Sequence, residues 1–282
     1  MKKPRAPFLR GLTVQLLAVT VLPLTLLLLL IAFGSVSLHQ RDMRALVGER
    51  DERAVQAAAA AMASELHHRA ANIMNLVALA EAADDTTFNH VTEDLLTDFD
   101  GGLAYFALDG NFITSTGSSE LWKRIAQNQD RITSVSTTEP VFSSPVLDPG
   151  SNRLFVIVSA VIPSRDRIVA GAFSPETLAR NTLISSYPDN THVTVFLLDS
   201  TRQILFATGP LSTESIHPDH PGVDEALRGE SGSTYLKQGD VEHVVAYSAI
   251  APTGWDRDVD YINPAAILVN DTTIRERFRF RF

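Results

Sequence analysis

An uncharged run of about 22 residues, from Leu12 to Phe33, most constrains what this chain can fold into. A helix needs about 20 predominantly apolar residues to cross a bilayer, so the run predicts a transmembrane helix over 12–37. Four basic residues precede it, and the first acidic residue is Asp42. Because Lys and Arg favour the cytoplasmic side, we expect a cytoplasmic N-terminus over 1–11 and an extracytoplasmic chain after about residue 38.

A cleaved signal peptide is the alternative reading of the same run. The apolar region of a signal peptide spans about 7–15 residues and ends at a small-residue cleavage site. The run here is longer, and the stretch Gly34–Ser37 is a poor cleavage site. Both readings place the remaining chain outside the cytoplasm, and we favour the uncleaved anchor.

The composition excludes several classes of function. The formal net charge is −9, and the part beyond Arg10 carries −13, because 20 basic residues remain there against 33 acidic ones. An acidic exterior argues against nucleic acid or an anionic membrane surface as a partner. The chain has no Cys, so disulfides, thiolate metal sites and Cys nucleophiles are absent.

A long helical pattern follows the span. Apolar residues recur at three- and four-residue steps through 38–83, and no Pro interrupts them. Such a stalk helix would span about 65 Å. It could be an ordinary amphipathic helix packed on its own domain, a mechanical connection to the membrane, or both. We also expect a homodimer to form through this helix.

Beyond Gly101 the apolar pattern becomes strand-like and then repeats at an offset of about 90 residues. The three echoed pairs are LAYFALD (103–109) with VTVFLLD (193–199), FITSTG (112–117) with ILFATG (204–209), and SAVIP (159–163) with SAIAP (248–252). The repeat predicts two similar modules over 84–190 and 191–261, each with one antiparallel sheet. Ser174 and Pro175 open a helix between them, with Ser174 as the predicted cap.

Four stretches resemble the double Cache sensor domains (tandem PAS-like sheets) of bacterial transmembrane receptors. They are YFALDGNFITST (105–116), IVAGAFSPETL (168–178), VFLLDSTRQILFATG (195–209) and AYSAIAPTGW (246–255). The resemblance covers about residues 39–261. It implies an α+β fold with a membrane-distal module that binds ligand, a membrane-proximal module, and signalling to a kinase, chemoreceptor or cyclase output.

The C-terminal part departs from that pattern. Receptors of this kind finish a strand after the position of Trp255 and then cross the membrane again. Here the stretch Asp256–Asp260 is highly charged, and the tail 262–282 has no second span. We therefore expect a chain without a second span or output module, which is either a truncated or interrupted receptor or a sensor that works through a separate output protein. The Phe and Arg alternation in the tail fits an edge strand or an amphipathic end.

The ligand-binding pattern departs as well. Amino-acid-binding members of the family resemble one another in an Arg-x-x-Trp-Tyr cluster and an Asp near the end of the distal module. The matching positions here are 121–124, with Trp122 and Arg124, and Ser174 in place of the Asp. An α-ammonium group would lose its counter-charge, which costs several kcal/mol when buried. The sequence therefore disfavours a free amino acid.

The candidate ligand-binding residues are Tyr105, Trp122, Arg124 and Phe142. Aromatic walls with one fixed guanidinium would suit a small carboxylate, because guanidinium binds carboxylate through two parallel hydrogen bonds. The alternative for each residue alone is structural: Tyr105 and Phe142 as core side chains, and Arg124 on a solvated helix face.

Catalytic and metal-binding signals are weak. The stretch Gly229–Ser233 is no nucleophile elbow, since position 233 is Ser, and no phosphate loop or dinucleotide fingerprint occurs. His217, Asp219 and His220 lie in a predicted Pro-rich loop, and the adjacent His67 and His68 face different sides of a helix. We expect no enzyme activity, no metal and no cofactor.

The sequence thus predicts a membrane-anchored extracytoplasmic sensor that binds a small molecule in the distal module and relays the change through the long helix. Two other readings stay open. One is a membrane-tethered binding or scaffold protein of the envelope without signalling output. The other is an envelope hydrolase, which a convergent acid–base cluster would support.

Overall fold

Two antiparallel sheets with the same strand order follow one long helix in the computed structural model. The structure describes residues 12–82, 95–117, 119–127, 139–183, 193–208, 220–238, 241–250 and 264–271. The predictions for 1–11, for the module junction 184–192, for His217 and Asp219, for 251–263 and for the Phe and Arg alternation after residue 271 lie outside these residues. Two compact units are present, residues 1–47 and residues 48–282.

The long helix, α1, runs from Leu12 to Ala82 over 71 residues and contains Pro23. In the unit 1–47 its large apolar side chains are exposed all round, with Leu17 at 60% and Phe33 at 73% of full exposure. A helix that is apolar on every side needs an apolar environment. Among the described residues it is the one helix long and apolar enough to cross a membrane.

In the unit 48–282, α1 buries one face. The buried positions follow the predicted three- and four-residue steps and include Val55, Met62, Leu66, Ile73 and Leu76. The expected long helix is therefore present. Its buried side chains belong to one apolar cluster with residues of both sheets.

The first sheet lies between Gly102 and Phe173. Its strands are β1 (Gly102–Ala107), β2 (Phe112–Ser115), β3 (Val141–Phe142), β4 (Val146–Asp148), β5 (Arg153–Ile162) and β6 (Arg167–Phe173), in the order β2-β1-β6-β5-β3 with β4 also on β5. Helix α2 (Ser119–Gln127) separates β2 from β3, and helix α3 (Pro175–Leu183) follows β6.

The second sheet repeats this arrangement. Its strands are β7 (Val193–Asp199), β8 (Ile204–Thr208), β9 (Ser231–Gln238), β10 (Val241–Ala249) and β11 (Pro264–Asp271), in the order β8-β7-β11-β10-β9. The short helix α4 (Val223–Leu227) precedes β9. Strands β1 and β7 thus hold equivalent positions in their sheets. Each lies between its hairpin partner and the last strand of its module.

The predicted repeat is confirmed by the two phenylalanines that anchor the motifs. Phe106 on β1 and Phe196 on β7 are fully buried, each in a cluster beneath the module's short helix. Side chains alternate across a strand, so Leu103, three residues before Phe106, and Val195, next to Phe196, face α1 instead. Each sheet is therefore covered by α1 on one face and by a short helix on the other. The fold is α+β, as predicted.

One prediction about the end of the chain is wrong. We expected the membrane-proximal module to stop at 261 and the tail 262–282 to lie outside it. Instead β11 is the central strand of the second sheet, hydrogen-bonded antiparallel to β7 and β10. The apolar stretch Ala265–Val269 suits a strand with neighbours on both sides, whereas the charged stretch before it does not.

Candidate functional site

The first sheet separates the four candidate residues into two groups. Trp122 of α2 packs on Phe106, with ring centroids 6.0 Å apart, in the cluster on the short-helix face. Tyr105 and Phe142 pack against the cluster on the α1 face. The four side chains therefore do not line one pocket, and the expectation of a single four-residue cluster is corrected. Adjacent residues on a strand point to opposite faces, which puts Tyr105 and Phe106 on different sides.

Trp122 is held in place by α2. The apolar residues Leu121, Trp122 and Ile125 fall on one face of this helix, and all three are fully buried. The indole Nε1 is buried and has no hydrogen-bond partner among the described residues. An unsatisfied buried donor costs about 1–3 kcal/mol, so this N–H offers a place for an acceptor atom.

Arg124 lies two residues after Trp122 on the same helix and is exposed. Its guanidinium donates a long hydrogen bond of 3.4 Å to the carbonyl oxygen of Leu147 on β4. The nearby Asp148 carboxyl has a pKa below its usual value, mainly because Ser151 donates a hydrogen bond to it and in smaller part because of Arg124. An anion at Arg124 would therefore share this cation with Asp148.

Tyr105 and Phe142 occupy the other face. Burial raises the pKa of the Tyr105 phenol, so the phenol is neutral at physiological pH. Phe142 meets Phe173 edge to face, with ring centroids 6.4 Å apart and planes 85° apart. Phe142 also lines a cleft where α1 meets both sheets, together with Met62, Phe173 and Leu205.

Two aspartates that the sequence reasoning missed join this face to the helices. Asp98 accepts a hydrogen bond of 2.7 Å from Asn72 Nδ2 on α1, and its carbonyl accepts one of 3.1 Å from Arg69 Nε. The Arg69 guanidinium also lies 5.1 Å from the centre of the Phe173 ring. Asp98 therefore ties the segment before β1 to α1.

Asp100 ties the segment before β1 to the start of α3. Its carboxylate accepts hydrogen bonds from the Ser174 backbone N–H at 2.7 Å, the Thr177 hydroxyl at 2.8 Å and the Arg153 guanidinium at 3.2 Å. A carboxylate at a helix N-terminus satisfies free N–H groups and complements the helix dipole. Ser174 holds the predicted cap position directly before Pro175, but its hydroxyl has no partner among the described residues, so the Asp100 carboxylate acts where a capping side chain would.

Histidines and acidic residues do not converge on a metal site in the described part of the chain, where no group of three or more such residues could hold an ion. His67 and His68 are exposed on α1, and His68 Nε2 lies 3.4 Å from Asp98. His220 is buried before α4, where burial lowers its pKa.

The comparisons with known proteins find the fold but no sequence relative. No protein-family model matches the chain, and no curated protein matches it. The matching solved structures are sensory domains, and three of the most similar cover most of this chain.

The sensory domain of the Campylobacter jejuni chemoreceptor Tlp3, with isoleucine bound, matches with a TM-score of 0.58 at 12% identity, over 83% of this chain and 96% of that one. The extracellular domain of rpHK1S-Z16, a protein assigned as a histidine kinase, matches with a TM-score of 0.56 at 13% identity, over 87% and 100%. The ligand-binding domain of the Pseudomonas aeruginosa amino acid chemoreceptor PctB, with L-Arg bound, matches with a TM-score of 0.54 at 16% identity, over 84% of this chain and 99% of that one.

At these identities the likeness establishes the fold. The chain has the fold of the extracellular ligand-binding domains of chemoreceptors and histidine kinases. The predicted resemblance to double Cache domains is confirmed at that level.

Proposed function

We propose that this chain is a membrane-anchored extracytoplasmic sensor that binds a small molecule in its membrane-distal module. One observation supports the proposal above the others. Two sheets of identical strand order pack on a helix that also contains the candidate membrane span. Sensory domains of chemoreceptors share this fold, and their sensory role supports the same role here.

We place the ligand on the short-helix face of the first sheet. The buried Trp122 N–H offers a donor there, and the exposed Arg124 guanidinium lies on the same helix. The two side chains leave α2 on different sides, so a small carboxylate would reach both groups from the edge of the helix, where Arg124 turns toward β4. The similar structures carry L-Arg and isoleucine, but Ser174 supplies no negative charge for an ammonium group in this chain. We therefore propose a carboxylate without an α-ammonium group.

The packing of α1 supports the proposed relay. The core cluster contains α1 residues such as Met62 and Ile73 together with Leu103 of the first sheet and Val195 of the second. A ligand shifts such an arrangement only as far as its affinities for two states differ. We propose that ligand binding changes how α1 packs and that α1 carries the change toward the membrane. A homodimer along α1 and a separate output protein are further proposals, which cross-linking of single-Cys variants through Met43–Leu66 would test.

A ligand screen on the full chain in lipid nanodiscs tests the proposal. We expect at least one small carboxylate to raise the melting temperature, and its neutral amide to have no effect. Trp122→Phe replaces the indole by a smaller phenyl ring without an N–H, and the lost hydrogen bond should weaken binding by about tenfold. Arg124→Gln should weaken it more, because it removes a charge-assisted contact.

Lys123→Gln is the matched control, since Lys123 is also an exposed cation on α2 but pairs with Glu120 at 3.0 Å. Its affinity should equal that of the unmodified chain. The proposed site would be wrong if the ligand bound equally well to the Trp122, Arg124 and Lys123 variants. A screen in which no small molecule changed the melting temperature would favour a tethered scaffold without ligand.

A further inference from the structure

Tyr105 lies on the α1 face of the first sheet, on the side opposite Trp122. Its ring packs against the core cluster of α1, and its phenol oxygen is buried. The pairing of β1 with β6 places Tyr105 directly opposite Val169, which is fully buried in the same cluster. Side chains directly opposite each other in an antiparallel pair lie on one face, so Tyr105 and Val169 both face α1.

Arg167 on β6 shares that face. It lies two residues before Val169, and side chains two residues apart on a strand point the same way. Arg167 is therefore the diagonal cross-strand neighbour of Tyr105, about 7–8 Å away, which is within reach of a long side chain. Its side chain is half-buried.

Arg165 approaches the same phenol from the connection between β5 and β6. The connection is a 3₁₀ turn over Pro163–Arg165, followed by Asp166 with a left-handed φ of 50°. Burial raises the pKa of the Tyr105 phenol, while the charges of Arg165 and Arg167 act against that rise. Both guanidiniums therefore lie close enough to the phenol for their charges to act on it.

A phenol and two guanidiniums form a set of hydrogen-bond donors for an oxoanion. Guanidinium binds phosphate oxygens through two parallel N–H donors, and a neutral phenol donates its O–H. Because burial holds the Tyr105 phenol neutral, the phenol is a donor at physiological pH. Asp166, between the two arginines, is exposed. The turn thus has two positive charges against one negative charge, in a chain whose net charge is −9.

We propose that Tyr105, Arg165 and Arg167 form a second binding site, which takes a phosphate-type dianion on the α1 face of the first sheet. A dianion matches the two guanidiniums, whereas a monocarboxylate matches one of them. The proposal does not depend on the carboxylate site at Trp122 and Arg124, so either can fail while the other stands.

Tyrosine NMR on the full chain, in nanodiscs of zwitterionic lipid, tests the site. The chain has five tyrosines, at positions 105, 187, 235, 247 and 261, and Tyr105→Phe identifies the Tyr105 signal. With ¹³C-labelled tyrosine rings and inorganic phosphate at constant ionic strength, we expect the Tyr105 signal to shift and saturate. Methyl phosphate, titrated in the same way, separates a free ion from a phosphate ester, because the natural form should bind more tightly.

Charge-removing variants supply the second arm of the test. Arg165→Gln and Arg167→Gln each remove one guanidinium and should weaken phosphate binding by at least about tenfold, because each removes charge-assisted hydrogen bonds. Arg180→Gln is the matched control, since Arg180 is an exposed arginine on α3 that pairs with Glu176 at 2.9 Å. Its phosphate affinity should equal that of the unmodified chain. Trp122→Phe should also leave the phosphate affinity unchanged, which separates this site from the carboxylate site.

Three outcomes would overturn the inference. The first is a Tyr105 signal that does not move at high phosphate concentration. The second is an equal shift with chloride at the same ionic strength, which would indicate general screening. The third is equal weakening by Arg167→Gln and Arg180→Gln, which would indicate an adventitious ion only. If Arg167→Gln fails to fold, Arg167→Lys keeps the charge but loses the paired N–H donors, and unchanged phosphate affinity in that variant would also overturn the site.

Discussion

Gly171 on β6 has no room for a methyl group, and this gives the sharpest stability prediction. A Cβ at this position would lie 2.6 Å from both Cδ1 and Cε1 of the Phe99 ring. Carbon atoms pack best at about 3.5–4.0 Å, so Gly171→Ala would overlap the ring by roughly 1 Å. Phe99 is almost fully buried and cannot swing into solvent without leaving the core.

The ring is also fixed from both sides along the chain. Asp98 hydrogen-bonds to α1 and Asp100 to α3, so the backbone of Phe99 is anchored on either side. Overpacking of this kind costs about 1–3 kcal/mol. For a domain of this size, 1 kcal/mol lowers the melting temperature by about 2–4 °C, so we expect Gly171→Ala to lower it by roughly 2–12 °C.

Thermal unfolding of the full chain, followed by circular dichroism, measures the effect. Gly150→Ala is the control, because its added Cβ would meet no atom closer than 3.6 Å. Its melting temperature should stay within about 2 °C of that of the unmodified chain. Phe99→Leu combined with Gly171→Ala should recover part of the loss, because the smaller side chain removes the overlap. A melting temperature of Gly171→Ala equal to that of Gly150→Ala would refute this reasoning.

Three further predictions concern the cap of α3, the buried histidine and the last strand. Asp100→Ala removes three hydrogen bonds to a carboxylate, so it should lower the free energy of unfolding, measured by chemical denaturation, by about 2–4 kcal/mol. Asp109→Ala, at an exposed turn, should lower it by less than about 1 kcal/mol. Burial depresses the pKa of His220, so the unfolded chain binds a proton at this imidazole more readily than the folded chain. The free energy of unfolding should therefore fall as the pH drops below about 6.5. His220→Gln should flatten that dependence in thermal melts between about pH 7.5 and 5.5. A chain ending at Tyr261 lacks β11, so its second sheet should lose its centre and become sensitive to limited proteolysis, while equal protease resistance would contradict the pairing of β11.

The duplicated sheet was predictable from sequence because its signal is local and repeated. The motifs around Phe106 and Phe196 share one offset, and both residues end in equivalent buried places. Strand alternation could also have separated Tyr105 from Trp122, since Tyr105 is adjacent to Phe106 and must point away from it. Grouping residues by chemistry alone overlooked this alternation.

Other features depend on contacts between residues distant in sequence, which local patterns do not encode. Asp100 accepts a hydrogen bond from Ser174, 74 residues later and directly before α3, and nothing near either residue indicates the pairing. The Ser174–Pro175 pair correctly indicated where α3 begins but not which side chain caps it. The apolar stretch in β11 is hard to recognise from sequence, because the charged residues before it make the end of the chain look unsuited to a core strand.

Labelling of single cysteines in intact cells tests the central claim most directly, and the Cys-free chain is a natural background for it. Lys123→Cys places a thiol on exposed α2, and Lys3→Cys places one before the candidate span. A membrane-impermeant maleimide should label position 123 in cells with a permeable outer layer, and position 3 only after lysis, with the protein retained in the membrane fraction. Labelling of position 123 only after lysis, or of a shortened soluble product, would contradict a sensor anchored in the membrane and facing outward.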